Sequence, residues 1–235
     1  MEIHIDFSTV RSIITAEHTL AAGQIEQWGP VPAYEQSQLR HDQRLAGASD
    51  TNTLACKAGC YWCCFFTVDV RPVEVFRILH FVEHALAEAE QQRITQQIDA
   101  NVQLLSGTDE TTRTRLNIRC PFLNQGRCVI YSARPQTCRN YHATNATGCQ
   151  RSFEQPDDLD IDPEFAPMTY QIGAAHVDGF SKAMAAAGYD NTGFEMNAAL
   201  AQALADPQAR QRFEARQAAF GTLTGSLVPL EFDED

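Results

Sequence analysis

Cysteine is concentrated in one part of the sequence. All eight cysteines lie between positions 56 and 149, and four of them fall within the run 56–64, CKAGCYWCC. Short C-x3-C and C-x2-C spacings let one loop direct two thiolates at a common point, while distant cysteines complete a tetrahedral site. The sequence therefore predicts metal binding, in one or two sites. The candidate ligands are Cys56, Cys60, Cys63, Cys64, Cys120, Cys128, Cys138 and Cys149.

Arginine is concentrated in the same region. Residues 113–153 contain seven arginines and no acidic residue, although the chain as a whole has a formal net charge of −12. A divalent metal held by four thiolates has a formal charge of about −2, so nearby guanidinium groups would stabilise it. The alternatives are a solvated basic face, pairing with the acids of 156–164, or binding of an anionic substrate.

Three other interpretations of the cysteine run are open. C-x3-C-x2-C with Trp62 before the last cysteine is also the spacing with which radical-SAM enzymes hold a [4Fe–4S] cluster. Those enzymes continue with alternating strands and helices, whereas this chain continues with helix and irregular loop. A thioredoxin-type pair at Cys60 and Cys63 needs a βαβ context, which is not visible. The third interpretation is a purely structural set of buried or disulfide-bonded cysteines, although disulfides are disfavoured in a reducing cytosol.

Histidine offers two further candidates. Residues 80–84, HFVEH, match H-x-x-E-H, in which two histidines one helical turn apart bind zinc. These residues also fit an amphipathic helix, and no distal glutamate ligand stands out, so we interpret His80 and His84 as an exposed pair. His142 lies four residues after Cys138 within the arginine-rich segment, and it is the better histidine candidate.

The elements around the cysteines are predicted to be mainly α-helical. Pro72 fits the first position of a helix, and Glu74 would place a carboxylate in its first turn. Residues 117–150 are typical of irregular loops, with room for one short β-hairpin around 127–131. We therefore expect helices around an irregular cysteine-rich, metal-binding centre. Apolar residues recur at helical spacing in 9–28, 33–47, 75–105, 168–187, 194–205 and 207–220.

The chain divides by composition into three segments. A helical segment 1–54 precedes the cysteine-cluster region 55–153, and a second helical segment 154–235 follows; we expect them to form one compact domain. The N-terminus lacks the basic and apolar parts of a secretory signal, and no window has about 18 consecutive apolar residues. We therefore expect a cytoplasmic protein without a membrane partner. The acidic net charge argues against nucleic-acid binding, and the C-terminal helices could form a homo-oligomer surface or a lid.

The cysteine segment resembles a known family. The run 56–64, Glu74 ten residues beyond it, and the stretch 120–142, CPFLNQGRCVIYSARPQTCRNYH, are similar to the YkgJ-type cysteine-cluster family with its CxxCxxCC signature. The resemblance implies a bacterial protein that chelates zinc or iron, and it makes Arg134 and Arg139 motif positions. The first spacing here is C-x3-C rather than C-x2-C, which implies a different loop geometry at Cys56.

Two classes of function follow from these observations. In the first, the metal is structural or handled by the protein, and protein groups fill every coordination position. In the second, the protein is an iron or iron–sulfur enzyme or redox protein that acts on an anionic substrate near the arginines. Arg134 and Arg139 could donate hydrogen bonds to thiolate sulfur or to an anion. Glu74 could be a further ligand, a general base or a helix N-terminal carboxylate, and His142 could support the site.

Overall fold

The computed structural model describes residues 7–57, 59–161, 163–221 and 223–224; the outer ends of the predicted segments 1–54 and 154–235 lie outside the described residues. In this part of the chain the fold is mainly helical, as the apolar periodicity predicted. The helices are α1 Phe7–Trp28, α2 Pro30–Ala46, α3 Pro72–Ala85, α4 Glu88–Leu105, α5 Glu110–Arg113, α6 Gln136–Arg139, α7 Ala146–Glu154, α8 Pro167–Ala186, α9 Met196–Ala205 and α10 Ala209–Glu214.

Glycine and proline set the helix boundaries. Gly29 separates α1 from α2 with a φ of 82°, a left-handed conformation that favours glycine. Pro30 and Pro72 occupy the first turns of α2 and α3, where a missing N–H costs no hydrogen bond. The long periodic segment 75–105 is two helices rather than one bent helix, because Leu86 is extended between α3 and α4.

The short strands form two antiparallel pairs in the described residues. They are β1 Asp69–Val70, β2 Leu123–Asn124, β3 Arg127–Cys128 and β4 Phe194–Glu195. β1 pairs with β4, whereas β2 and β3 form the predicted hairpin. Its turn residues Gln125 and Gly126 have φ values of 49° and 74°, as a type I′ turn requires. The hairpin begins at Leu123, a few residues earlier than predicted.

The hydrophobic core joins the described helices on both sides of the cysteine segment to that segment. α1 packs along α8 and α2, α4 packs along α9, and α2 also contacts α3 and α8. Tyr34, Ile78, Ile130 and Phe213 are buried members of one core cluster. Among the described helices, none combines the length and the apolar character that a membrane span needs.

A buried carboxylate links α1 and α2. Glu17 is fully buried and forms ion pairs with Arg40 at 2.6 Å and Arg44 at 2.7 Å. Ser37 donates a hydrogen bond to Glu17 at 2.8 Å, and its hydroxyl also lies 2.9 Å from Nε2 of His176 on α8. Burial is the main reason that the pKa of His176 falls to about 2, so its ring is neutral. The two guanidinium groups compensate the buried charge of Glu17.

Gly179 lets α1 and α8 approach closely. A Cβ atom at this position would lie 2.6 Å from the carbonyl oxygen of Ile14 and 2.9 Å from Cβ of Glu17, both on α1. We expect Gly179→Ala to push the helices apart and to lower the free energy of unfolding by about 1–3 kcal/mol, the range for overpacked cores. Urea-induced unfolding measures this change.

Gly23→Ala, in the middle of α1, is the matched control. Apart from the nearby backbone of α1 itself, no atom among the described residues lies within 4 Å of a Cβ added there. Alanine is the better helix former, so we expect a gain in the free energy of unfolding of up to about 1 kcal/mol. If Gly179→Ala stabilised the protein as Gly23→Ala is expected to do, this result would contradict the close packing of α1 on α8.

Candidate metal centre

Backbone hydrogen bonds bring the two cysteine-bearing segments together. The N–H of Cys120 donates to the carbonyl of Cys64 at 2.7 Å, and the N–H of Ala55 donates to the carbonyl of Ala143 at 2.9 Å. α3 and α4 separate these segments in sequence. After these helices, the chain around Cys120 therefore lies beside the run 56–64. All eight cysteines carry free thiols; Cys149 is buried and the others are partly buried.

Four thiols share one electrostatic neighbourhood, which we call the first thiol group. Burial is the largest cause of the raised pKa of Cys120, Cys128 and Cys138, and negative charge on Cys63 raises each of them further. The β2–β3 hairpin places Cys128 opposite Leu123. The members of the first thiol group are Cys63, Cys120, Cys128 and Cys138.

Three other thiols form a second thiol group, Cys56, Cys60 and Cys149. Burial raises the pKa of Cys56, and it raises that of Cys149 to about 11; the charge of Cys60 adds to both shifts. The thiol of Cys56 also points at the carbonyl oxygens of Tyr141 and Ala143, at 3.7 and 3.8 Å. The start of the cysteine run is thus held against the segment that precedes α7.

Cys63 connects the two groups. Its charge contributes to the raised pKa of Cys56 and Cys149 as well as to those of the first thiol group. Its own pKa is raised first by a hydrogen bond with the Cys64 side chain and then by burial. The two consecutive cysteines therefore place neighbouring thiols at the junction of the groups.

The chemistry of these donors suits a thiophilic metal ion. Partly buried thiols that repel one another when ionised are stabilised by a bound cation. Within the described residues, no three His, Cys, Asp or Glu side chains converge closely enough to hold a metal ion in this conformation. The donor types therefore fit zinc or iron, whereas a closed coordination shell requires the thiols to move together. Metal binding commonly drives such ordering.

Arg134 supplies positive charge to the first thiol group. Its guanidinium lies 3.8 Å from the centre of the Tyr131 ring and donates to the Tyr131 carbonyl at 2.9 Å. The charge of Arg134 lowers the pKa of three thiols of the group, in opposition to burial and to neighbouring thiolates. The other motif arginine, Arg139, is turned mainly toward Asp42 on α2.

Arg139 is buried and joins α6 to α2. It donates to Asp42 at 2.6 Å and also to the backbone carbonyl of Ser132. Burial alone would raise the pKa of Asp42, but the neighbouring side chains of His41 and Arg139 hold it well below its usual range. Asp42 is therefore an anion that neutralises Arg139.

The strongest ion pairs of the arginine-rich segment do not involve the acids of 156–164. Arg113 binds Asp69 at 3.1 Å and Glu110 at 2.7 Å, on the side of the segment away from those acids in sequence. Arg115 reaches only the backbone carbonyl of Asp157, at 3.4 Å. Among the described residues, the carboxylate partners of Arg113 and Arg139 are therefore Asp69, Glu110 and Asp42, and not the acids of 156–164 that the alternative interpretation named.

Glu74 is buried, and both of its carboxylate oxygens accept hydrogen bonds. Oε2 accepts from the N–H of Arg71 at 2.7 Å. Oε1 accepts from the hydroxyl of Tyr34 at 3.0 Å and from the N–H of Gln136 at 2.8 Å. These are the contacts of a helix N-terminal carboxylate that also fixes the start of α6. Because Cys138 lies on α6, Glu74 positions a member of the first thiol group.

The histidines occupy different environments. His80 and His84 lie exposed on α3 with ring centres 4.1 Å apart, as the interpretation as an exposed pair predicted. The ring nitrogens of His142 are buried, and in the described part of the chain neither has a hydrogen-bond partner. His41 has the same property, although no sequence pattern singled it out.

Comparison with known proteins identifies the cysteine segment. Residues 55–160 match the family model of the CxxCxxCC domain, described as "Putative zinc- or iron-chelating domain". The match covers slightly less than half of the chain, contains all eight cysteines, and confirms the family resemblance. No curated protein and no solved structure matches the chain. Helices α1, α2, α8, α9 and α10 lie outside the matched residues.

Proposed function

We propose that the CxxCxxCC domain, residues 55–160, makes this protein a chelator of zinc or iron whose cysteine thiolates hold the metal. The observation that supports this most is that free thiols from distant parts of the chain lie on segments that meet, since the N–H of Cys120 donates to the carbonyl of Cys64. The metal is structural, or the protein handles metal for other proteins. Thiols remain available for this role in a reducing cytoplasm, where we place the protein.

The first thiol group offers one complete ligand set. Cys63, Cys120, Cys128 and Cys138 supply four thiolates, the number that fills a closed tetrahedral zinc site. Arg134 reduces the excess negative charge of such a site. A bound metal would cross-link the cysteine run, the β2–β3 hairpin and α6. Residues 117–150 contain little regular structure, so this cross-link would replace core packing.

The second thiol group offers a less complete set. Cys56, Cys60 and Cys149 supply three thiols, and Cys64 is a candidate fourth donor. A three-thiol site leaves one coordination position for solvent or for an exchanging ligand. This group therefore suits a metal that is delivered or passed on more than one that is permanently bound.

The alternative of an iron or iron–sulfur enzyme with an anionic substrate has less support. Such an enzyme needs cationic side chains that are free to meet the substrate. Arg113 is neutralised by Asp69 and Glu110, and Arg139 by Asp42. Of the residues discussed, Arg134 retains most of its capacity to meet an anion, but its charge faces the thiols.

Metal analysis tests the proposal directly. Protein purified anaerobically without chelators is expected to contain at least one zinc or iron per chain. Colourless protein would identify zinc, whereas brown protein with visible absorption would identify an iron–sulfur centre. Removal of a metal present at 1,000 times its dissociation constant costs about 4 kcal/mol, so the melting temperature should fall by about 10 °C. The proposal would be contradicted if the protein were purified without metal and if added Zn²⁺ and Fe²⁺ left its melting temperature unchanged.

We further propose that the segments 1–54, 55–153 and 154–235 work as one compact domain. The hydrophobic core draws on all three, since Tyr34, Ile130 and Phe213 belong to the same cluster. Limited proteolysis should then yield no stable fragment that begins or ends near 54 or 154. A stable fragment cut at either position would contradict this organisation.

A further inference from the structure

The histidine pair of α3 lies in a groove between α2 and α3. The groove has a volume of about 290 Å³, and Glu35 of α2 lines it together with Arg77, His80 and His84 of α3. His80 is exposed, and the side chain of His84 is 59% exposed. An ion from solvent can therefore reach both imidazole rings without any opening of the fold.

The backbone of α3 holds the two imidazole rings close together. His80 and His84 are one helical turn apart, a spacing that places side chains side by side on the helix surface. Their ring centres are 4.1 Å apart, and the ring planes are inclined by 42°. Two nitrogens that bind one zinc ion tetrahedrally at 2.0–2.1 Å lie about 3.3 Å apart. Small side-chain rotations bring the two rings to that separation, and the helix need not change.

A hydrogen bond to the backbone sets the tautomer of His84. Its Nδ1 lies 2.8 Å from the carbonyl oxygen of His80. Because a carbonyl oxygen only accepts, Nδ1 must carry the proton. In the neutral ring the lone pair is then on Nε2, and neutral imidazole is the form that binds metal ions. A hydrogen bond from Nδ1 to a backbone carbonyl is also a usual support behind a metal-bound histidine.

Glu35 brings negative charge into the same groove. Its Oε1 accepts a hydrogen bond from Arg77 at 2.7 Å, so the two charges offset each other. Within the described residues, Oε2 has no hydrogen-bond partner, and the side chain of Glu35 is 47% exposed. Oε2 is therefore available to a cation beside the rings or to the water molecules bound to it. The sequence could not select a glutamate to accompany the motif at 80–84, because this one comes from another helix.

We propose that one ring nitrogen each of His80 and His84 binds a divalent transition-metal ion in the groove between α2 and α3, with Glu35 beside it. Imidazole suits zinc, copper, nickel and iron, whereas magnesium and calcium prefer oxygen ligands. Two protein nitrogens leave the other coordination positions to water, so this ion exchanges readily. The site contains no thiol, and Glu35 lies outside the residues matched by the CxxCxxCC model. It therefore does not depend on metal binding by the cysteines.

Anomalous diffraction from wild-type crystals grown with ZnCl₂ tests the position of the ion. Data collected above and below the zinc absorption edge are expected to show a peak about 2.0–2.1 Å from one ring nitrogen of each histidine, separate from any peak at the thiols. Ordered rings of His80 and His84 with no anomalous peak between them would overturn the proposal.

Zinc content in solution provides an independent test. After equilibrium dialysis against excess Zn²⁺, His80→Gln and His84→Gln are each expected to contain one zinc per chain less than the wild type, and the double variant no less than either. His18→Gln is the matched control, because His18 lies on α1 and does not line the groove. In the cobalt-substituted protein, the thiolate-to-cobalt absorption should be equal in all variants, which separates this site from the cysteines. Undiminished zinc in folded His84→Gln would show that the site is wrong.

Glu35→Gln tests the part of the carboxylate. Zinc binding at the histidine pair is expected to weaken about 10–100-fold, the range for loss of an outer-shell partner. Titration calorimetry with Zn²⁺, on protein whose thiols are already loaded with zinc, measures the change. Glu26→Gln, at an exposed position of α1, is the control and should leave the affinity unaltered. Equal affinities in the Glu35→Gln and Glu26→Gln variants would remove Glu35 from the site.

Discussion

Cys128→Ser and Cys138→Ser are each expected to remove the metal ion of the first thiol group. Loss of a thiolate from a four-ligand site should weaken metal binding by more than about 100-fold, the most that loss of an outer-shell partner typically costs. Cys128 is on the β2–β3 hairpin and Cys138 is on α6. Loss of the metal therefore also removes the cross-link between these two elements. Metal content per chain and the melting temperature are the measurements. Serine preserves the shape of the side chain, so packing changes little.

Double variants test whether the two thiol groups are separate sites. If Cys128 and Cys138 hold the same ion, the variant that lacks both should lose no more metal than either single variant. Combining Cys128→Ser with Cys149→Ser should instead remove metal from both groups, so this double variant should contain less metal than either single variant. Full metal content and an unchanged melting temperature in both single variants would show that these thiols are not ligands.

Glu74→Ala is expected to destabilise the protein by about 3–5 kcal/mol. The substitution removes the acceptor of two buried donors, the hydroxyl of Tyr34 and the N–H of Gln136, and of the partly buried N–H of Arg71. An unsatisfied buried donor costs about 1–3 kcal/mol. A loss of this size is a large part of the about 5–15 kcal/mol that stabilises a typical domain. Urea unfolding of metal-free and metal-loaded protein measures it.

Two controls separate the structural role of Glu74 from a role as metal ligand. Glu83→Ala lies on the exposed face of the same helix and should change the free energy of unfolding by less than about 0.5 kcal/mol. Glu74→Gln keeps the side-chain shape and one acceptor oxygen, and we expect it to fold with normal metal content. Loss of metal from folded Glu74→Gln would instead assign the carboxylate to the metal.

Local signals carried most of the fold prediction. Gly29, Pro30 and Pro72 fix helix boundaries through backbone conformation alone, and the periodicity of 75–105 reports which residues meet a core. The break at Leu86 was not predicted to a residue, because its extended conformation has no glycine or proline signature. The pairing of β1 with β4 was also missed, since it joins residues far apart in sequence.

The candidate site was only partly predictable for the same reason. Spacing and residue type identified the cysteines as candidate ligands. The sequence could not assign them to two thiol groups, because that assignment depends on how the hairpin and α6 pack against the run 56–64. The ion pair of Arg139 with Asp42 likewise connects α6 to a helix in another segment. His41 has no neighbouring motif, and only its burial without a partner sets it apart.

The position of Cys63 between the thiol groups has a consequence for stoichiometry. The sulfur of Cys63 can complete the coordination shell of one ion, or it can bridge two ions. In either case, the ligands available to a metal ion in one thiol group depend on whether the other group is occupied. Filling one group must therefore alter the affinity of the other, and by linkage the effect is mutual. Titration of the empty protein with metal should accordingly give interacting rather than independent binding steps.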